Sequence, residues 1–133
     1  MVNSILVKQT SILGGKPVDI LIESGTIKEI ASTIVVHADE IVEAAGSIAL
    51  PGFVDLHTHL REPGRENSET IATGSLAAAR GGYTAVSAMA NTLPVADTAA
   101  IVEQVAAIGA HVGLVDVFPI GAVTKGLDGV ELA

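Results

Sequence analysis

The sequence predicts an α/β protein in which a β-rich N-terminal segment precedes alternating strands and helices. Residues 1 to about 50 contain short β-branched runs and no sustained helical period. From Phe53 onward, strand, loop and helix patterns repeat at intervals of about 30 residues, which is typical of βαβ units with parallel strands. Apolar residues make up 49% of the 133-residue chain and aromatic residues only 2%, so we expect an aliphatic core.

The N-terminal segment is expected to form a small antiparallel sheet. Its first strand candidate is the apolar run at residues 4–7. Two β-rich stretches, 18–23 and 26–30, flank the dipeptide Ser24-Gly25, and this arrangement predicts a hairpin with a two-residue turn. Weaker strand candidates follow at residues 35–36 and 41–43.

The first predicted helix covers residues 68–80 and follows a buried-type strand at 53–57. This helical stretch is rich in alanine and contains no proline. Asn67 or Ser68 is the expected N-cap, because such side chains accept hydrogen bonds from the free N–H groups of a first turn. The pair Gly81-Gly82 is expected to end the helix.

The second predicted helix covers residues 98–108, where apolar side chains recur at helical spacing. Asp97 is its expected N-cap, and Gly109 is expected to end it. Strands are predicted on either side of this helix, at 83–89 and 111–118. Right-handed crossovers between parallel strands would place both helices on one side of the sheet.

Charge and composition exclude several classes of function. The chain carries 7 Lys and Arg against 15 Asp and Glu, a formal net charge of −8, which argues against nucleic acid or an anionic membrane as a partner. The absence of cysteine excludes a disulfide scaffold and a thiolate metal site. No secretory signal pattern or bilayer-spanning apolar run is found in the sequence, so a cytoplasmic location is expected.

Two histidines, His57 and His59, lie at the carboxyl end of the first predicted parallel strand. Side chains two positions apart on a strand point to the same face, so both imidazoles can turn toward one point. Asp55 is expected on that face too, where it orients a histidine ring or bonds to backbone groups. Because neutral imidazole is a common zinc ligand, the pattern predicts a metal site; ordinary loop histidines are the alternative.

Arg61 and Asn91 are the candidate substrate-binding residues. A guanidinium beside a metal ion is repelled unless an anion lies between them, and its planar fork suits a carboxylate. The alternative for Arg61 is a surface ion pair with Glu62, Glu66 or Glu69. The amide of Asn91 can donate to a substrate carboxylate or accept from a ring N–H, and an Asx-turn is the alternative there.

These motifs carry a resemblance to a known family. The segment 51–59, PGFVDLHTH, resembles the first-strand motif of the amidohydrolase superfamily. The continuation LREPG at 60–64, the pair Glu69-Thr70 and the later NTLP at 91–94 are similar to dihydroorotases of the bacterial type I group. The resemblance covers essentially the whole chain and corresponds to roughly the first third of such an enzyme, given a barrel of about 250 residues plus a flanking β-domain.

The resemblance implies a fold and a reaction. Residues 1–52 would form part of a small β-sandwich, and residues 53–133 would form the first βα units of a TIM (β/α)8 barrel. The reaction would be the reversible closure of N-carbamoyl-L-aspartate to L-dihydroorotate plus water, in pyrimidine biosynthesis. One or two zinc ions would be held by His57 and His59, and the substrate carboxylate by Arg61 and Asn91. A homodimer or a complex with aspartate transcarbamoylase is implied as well.

The sequence also departs from the family pattern. A proline commonly precedes the asparagine in the family, whereas Ala90 stands there in this chain. The general base and the remaining metal ligands are expected beyond residue 133. We therefore expect the 133 residues to be the N-terminal piece of a longer protein, with an exposed apolar face, weak zinc affinity and no dihydroorotase activity of their own.

Two other functions compete with this interpretation. An allantoinase or hydantoinase would share the His-x-His strand and act on other cyclic amides. Arg61 separates these from a dihydroorotase, because dihydroorotate carries a free carboxylate and hydantoins need not. A non-catalytic subunit that scaffolds aspartate transcarbamoylase is the second alternative, against which the intact pair His57 and His59 weighs.

Overall fold

The computed structural model describes residues 3–133, and the chain divides into two compact units, Met1–Pro51 and Gly52–Ala133. Within residues 3–133 the first unit contains strands only, and the second contains strands and helices, so the predicted α/β class is confirmed. No helix in the described part of the chain is long and apolar enough to cross a membrane.

The first unit is a mixed five-stranded sheet. Strands β1, β2 and β3 are sequential antiparallel neighbours, and β4 and β5 both pair with β1 in parallel. The prediction of a purely antiparallel sheet is therefore wrong, because the chain after β3 crosses over to the opposite edge of β1. The strands are β1 (Ser4–Ile12), β2 (Pro17–Glu23), β3 (Thr26–Ala31), β4 (Glu40–Glu43) and β5 (Ile48–Ala49).

The hairpin predicted between β2 and β3 is confirmed. Ser24 and Gly25 have φ angles of 48° and 76°. A two-residue turn with two positive φ angles has a backbone twist that matches the right-handed twist of the flanking strands. The weaker candidate at residues 35–36 is not a strand. Residues 33–38 are irregular, and they place Ile34 and Ala38 in the hydrophobic core of this unit.

A buried carboxylate, Asp19 of β2, ties the irregular segment to the sheet. Its Oδ1 accepts from the N–H of Gln9 at 2.9 Å, and its Oδ2 accepts from the N–H of Ile34 at 2.9 Å. Gln9 lies in a bulge of β1 with a φ of 59°, so its N–H is outside the regular ladder. The two backbone donors, first that of Ile34 and then that of Gln9, hold the pKa of Asp19 below its ordinary value of 3.8.

Asp19→Asn is expected to lower the thermal unfolding midpoint at neutral pH, because an amide offers one acceptor oxygen where two N–H donors need one each. In the unmutated protein the lowered pKa stabilises the fold above about pH 3.8, and this contribution is lost as the pH falls toward the folded-state pKa. The matched control is Asp39→Asn. Asp39 accepts from Asn3 and Ser4 through one oxygen, which an amide can supply. Equal losses in both variants would contradict the prediction.

The second unit contains a three-stranded parallel sheet with the order β6-β7-β8. One helix connects each successive pair of strands, as the sequence predicts for βαβ units. The elements are β6 (Phe53–Thr58), α1 (Ile71–Arg80), β7 (Tyr83–Ala88), α2 (Ala99–Val112) and β8 (Asp116–Pro119).

Helix α1 begins later than predicted. Thr70 is the N-cap, and neither Asn67 nor Ser68 caps it. The Thr70 hydroxyl accepts from the N–H of Thr73 at 3.1 Å, and the Thr73 hydroxyl accepts from the N–H of Thr70 at 3.0 Å. This reciprocal capping box uses threonine in place of the usual Glu or Gln, which is why the sequence pattern did not indicate it.

Helix α2 runs through Gly109, which was expected to end it. A Cβ at Gly109 would lie 2.5 Å from the Cβ of Val117 on β8, so the glycine allows the helix to approach the sheet closely. The helix ends at Gly113, whose φ of 63° is left-handed. As a consequence His111 lies in the last turn of α2, and the third strand begins at Asp116 rather than at 111.

The start of α2 differs from the prediction by one residue. Thr98 is the N-cap, although its side chain makes no capping hydrogen bond among the described residues. The carboxylate of Asp97, the predicted cap, accepts instead from the N–H of Gly126 at 2.8 Å. Asp97 thus anchors the short 3-10 turn Lys125–Leu127 near the end of the chain.

The two helices cover one face of the parallel sheet. Their shared core contains aliphatic residues from both helices and from β7, including Ile71, Val86 and Val105. On the other side of the sheet Val54 and Phe118 are more than half exposed. The sheet therefore presents an uncovered apolar face within residues 52–133, as expected when three parallel strands carry only two helices.

Candidate active site

Two imidazole rings meet at the carboxyl end of β6. His57 is the penultimate residue of the strand, and His59 is the first residue beyond it. Their ring centroids are 5.2 Å apart, and the ring planes form an angle of 68°. The geometry brings together the two histidines that the sequence pattern singled out.

The strand reaches this geometry through an irregularity that the sequence did not indicate. Asp55 pairs with Val86 and Thr58 pairs with Ala88, so three steps along β6 correspond to two along β7. Because Val86 faces the helices, Asp55 lies on the helix side of the sheet, and the prediction that it shares a face with His57 is wrong. Its carboxylate accepts from the backbone N–H of His57 at 2.9 Å. Asp55 therefore stabilises the strand end, and within residues 3–133 its carboxylate accepts from no histidine ring.

The separation of the two rings fits shared coordination of one metal ion. With zinc–nitrogen bonds of about 2.0–2.1 Å and tetrahedral angles, two imidazole centroids would lie about 5 Å apart, close to the 5.2 Å observed. Residues 3–133 contain no group of three or more His, Asp or Glu side chains placed to hold a metal. Two candidate histidine ligands are one fewer than the three protein ligands that a catalytic zinc site normally has.

Asn91 contacts one of these rings. It lies in the loop that follows β7, and its Oδ1 is 2.9 Å from Nδ1 of His59. A carbonyl oxygen only accepts, so this contact requires the proton on Nδ1 and leaves Nε2 as the ring's acceptor atom. The sequence allowed two roles for this amide, donation to a substrate carboxylate or acceptance from a ring N–H. The contact with His59 corresponds to acceptance from a ring N–H.

Arg61 lies two residues beyond His59, with a φ of 64°. Its guanidinium forms no salt bridge with any residue between 3 and 133, so the alternative of a surface ion pair is not observed.

The carboxylates near Arg61 accept hydrogen bonds from backbone N–H groups. Glu62 Oε2 accepts from the N–H of Ile71 at 2.8 Å in the first turn of α1, and Glu66 Oε1 accepts from the N–H of Gly64 at 2.7 Å. This backbone donor holds the pKa of the Glu66 carboxyl below its ordinary value of 4.5.

The loop that carries Arg61 is joined to the loop that carries Asn91. The N–H of Leu93 donates to the carbonyl oxygen of Pro63 at 2.9 Å. Gly64 has a φ of 96°, and a Cβ there would overlap the carbonyl oxygen of Leu93. The two loops therefore meet backbone to backbone, which holds both candidate substrate-binding residues at the same end of the sheet as the histidines.

Comparison with known proteins identifies the family. Residues 46–133 match the family model described as dihydro-orotase-like. The chain belongs to this family. It is 56% identical over 128 residues to a dihydroorotase of Streptomyces coelicolor, covering 96% of the chain and 30% of that relative. It is also 56% identical over 119 residues to a dihydroorotase of Mycobacterium tuberculosis, covering 89% of the chain and 28% of the relative.

The fold of this chain is also similar to that of a solved structure. The L-hydantoinase (dihydropyrimidinase) of Arthrobacter aurescens matches with a TM-score of 0.78 and 26% identity, over 95% of this chain and 29% of that one. The described chain thus spans about 30% of the length of the curated relatives that it matches. Its similarity to cyclic-amide hydrolases covers both of its compact units.

Three residues that shape this candidate site were missed in the sequence. Glu62 was considered as an ion-pair partner of Arg61, but its carboxylate caps α1 and so ties the Arg61 loop to a helix. Gly64 and Leu93 form the junction between the loops. The signals available were the glycine in REPG and the acidic residue before it, but their partners are 9 to 29 positions distant in sequence and cannot be read from local patterns.

Proposed function

We propose that the complete gene product carrying this chain is a zinc-dependent dihydroorotase, which reversibly closes N-carbamoyl-L-aspartate to L-dihydroorotate plus water in pyrimidine biosynthesis. The relatives named dihydroorotase at 56% identity support the proposal. The observation that carries it is the 2.9 Å contact between His59 and Asn91. This contact joins a candidate metal ligand on one strand end to a candidate substrate ligand on the next.

The proposal extends to the fold of the complete gene product. Strands β6, β7 and β8 begin a closed (β/α)8 barrel, and residues 1–52 belong to a small β-sandwich. Support comes from the parallel strand order, the helices on one face and the exposed apolar face opposite them. Active sites of such barrels lie at the carboxyl ends of the strands, which is where His57, His59 and Asn91 are found.

Within this reaction each residue of the chain has a distinct role. His57 and His59 hold one or two zinc ions together with ligands beyond residue 133. When bound, zinc lowers the pKa of water and polarises the scissile amide carbonyl. Arg61 and the amide of Asn91 bind the substrate carboxylate and hold the reacting groups in place. The general base is supplied by residues beyond 133.

A cyclic-amide hydrolase of the hydantoinase type is the second candidate, favoured by the structural similarity to the Arthrobacter L-hydantoinase. Arg61 separates the two functions. Its guanidinium has no carboxylate partner within residues 3–133, so it is available to a substrate carboxylate. A hydantoin without a carboxylate gives this arginine nothing to bind.

Arg61→Ala in the complete gene product is expected to lower kcat/KM for dihydroorotate by about 10- to 100-fold, since a hydrogen bond to a charged group is worth about 1.5–3 kcal/mol. Arg61→Lys keeps the charge without the planar fork and should recover only part of the loss. Steady-state kinetics with dihydroorotate and with hydantoin provide the measurement. An unchanged kcat/KM for dihydroorotate in Arg61→Ala, or faster turnover of hydantoin by the unmutated enzyme, would refute the substrate assignment.

The partner and location of the complete gene product stay predictions. A homodimer or a complex with aspartate transcarbamoylase, in the cytoplasm, is what the family resemblance and the composition imply. Metal analysis separates an enzyme from a non-catalytic scaffold of aspartate transcarbamoylase. The enzyme carries zinc on His57 and His59, and a scaffold without a metal centre carries none.

A further inference from the structure

We propose that Asn91 is a positioning residue for His59 as well as a substrate ligand, and that its single amide performs both roles. Its carbonyl oxygen holds the ring proton of His59 on Nδ1, so that Nε2 keeps the lone pair that would bind a metal ion. Its NH2 group then remains to donate to the substrate carboxylate. The role in substrate binding rests on the proposed function. The positioning of His59 does not, because it concerns the chain without metal.

The assignment of the ring proton follows from the contact together with the orientation of the amide. Nδ1 of His59 and Oδ1 of Asn91 are 2.9 Å apart, a normal length for an N–H···O bond. With the amide in this orientation, the lone pair of the neutral ring is on Nε2, which is the atom available to a metal. The opposite amide orientation would direct NH2 at Nδ1 and move the ring proton to Nε2, where it would block coordination.

The surroundings of Asn91 explain how its amide is held. The loop after β7 is tied to the Arg61 loop by the hydrogen bond from Leu93 to Pro63. Within its own loop, the hydroxyl of Thr92 donates to the carbonyl oxygen of Pro94 at 2.7 Å. Both contacts fix the backbone on the C-terminal side of Asn91. The backbone of this loop is thereby fixed close to the point where the Asn91 side chain contacts His59, the first residue after β6.

Two substitutions separate the two roles. Asn91→Asp keeps an oxygen that accepts from Nδ1–H but replaces the NH2 donor with a second oxygen that repels a substrate carboxylate. Asn91→Ala removes both groups. Outer hydrogen-bond partners of metal ligands typically contribute 10- to 100-fold to metal affinity. We therefore expect Asn91→Ala to weaken zinc binding by about that factor and Asn91→Asp to retain it, whereas both raise KM for dihydroorotate.

The test uses the complete gene product and begins without metal. Long-range proton–nitrogen NMR of 15N-histidine-labelled protein reports the tautomer of His59, at a pH above the ordinary histidine pKa of about 6.5. Because the chain has 4 histidines, the His59 signal is assigned by its loss in His59→Gln. We expect the Nδ1–H form in the unmutated protein and in Asn91→Asp, and the appearance of the Nε2–H form in Asn91→Ala. Zinc affinity is measured by competition with a chelator.

The outcomes distinguish this inference from the proposed function. The Nε2–H form in the unmutated protein, or unchanged zinc affinity in Asn91→Ala, overturns the positioning role even where dihydroorotate is turned over. The expected tautomers and zinc affinities without any dihydroorotate turnover support the positioning role and refute the proposed function. If Asn91→Ala fails to fold, the unmutated protein and Asn91→Asp still decide the tautomer.

Discussion

Replacement of His57 or His59 by alanine in the complete gene product should remove bound zinc and lower kcat/KM for dihydroorotate by about 10³-fold or more, or about 4 kcal/mol. Their rings lie 5.2 Å apart at the end of β6, and residues 3–133 contain no group of three or more His, Asp or Glu side chains placed to hold a metal. Metal content and steady-state kinetics measured on the same preparations provide the check.

The matched control for these variants is His111→Ala. His111 is exposed in the last turn of α2, and its loss should change stability by no more than about 0.5 kcal/mol and leave zinc content unaltered. Full zinc content with full turnover in either His57→Ala or His59→Ala would show that the metal site lies elsewhere.

Gly64→Ala should lower kcat/KM for dihydroorotate by about 10²-fold, because a displacement of about 1 Å in a positioning element has costs of that order. The new Cβ would overlap the Leu93 carbonyl oxygen, and a φ of 96° is strained for any residue with a side chain. The loops that carry Arg61 and Asn91 would then separate. Kinetics at saturating zinc, together with far-UV circular dichroism to verify the fold, provide the measurement.

Gly129→Ala is the control for backbone strain alone. Gly129 also has a positive φ, 75°, but a Cβ there would meet nothing within 4 Å. We expect this variant to retain turnover within a few-fold. Equal losses in the two glycine variants would mean that φ strain, and not the contact between the loops, accounts for the effect of Gly64→Ala.

Local patterns in the sequence predicted those parts of the fold that local chemistry determines. The hairpin at Ser24-Gly25 and the alternation of strands and helices after Phe53 follow from turn residues and periodicity, and both are confirmed. The ends of the helices depend on tertiary contacts. The sequence pattern predicts that a helix ends at Gly109. In the structure this glycine instead lets α2 approach Val117, eight residues later on β8. A threonine pair caps α1 where the expected cap was Asn67 or Ser68.

The candidate site shows the same division. The two histidines could be found from their spacing, although the shared-face argument behind them failed for Asp55. An extra residue in β6 shifts the alternation, and such bulges are set by pairing with the neighbouring strand. The junction of Gly64 with Leu93 joins segments 29 positions apart, so neither local sequence could reveal it.

The backbone bond between Leu93 and Pro63 has a consequence for attempts to change what the protein acts upon. The loop that carries Arg61 and the loop that carries Asn91 share this bond, and the Leu93 carbonyl oxygen lies against Gly64. A segment grafted into one loop must therefore fit the backbone of the other. Transplanting selectivity from a related hydrolase therefore requires exchanging both loops as a pair, and libraries that randomise one alone will be dominated by misfitted backbones.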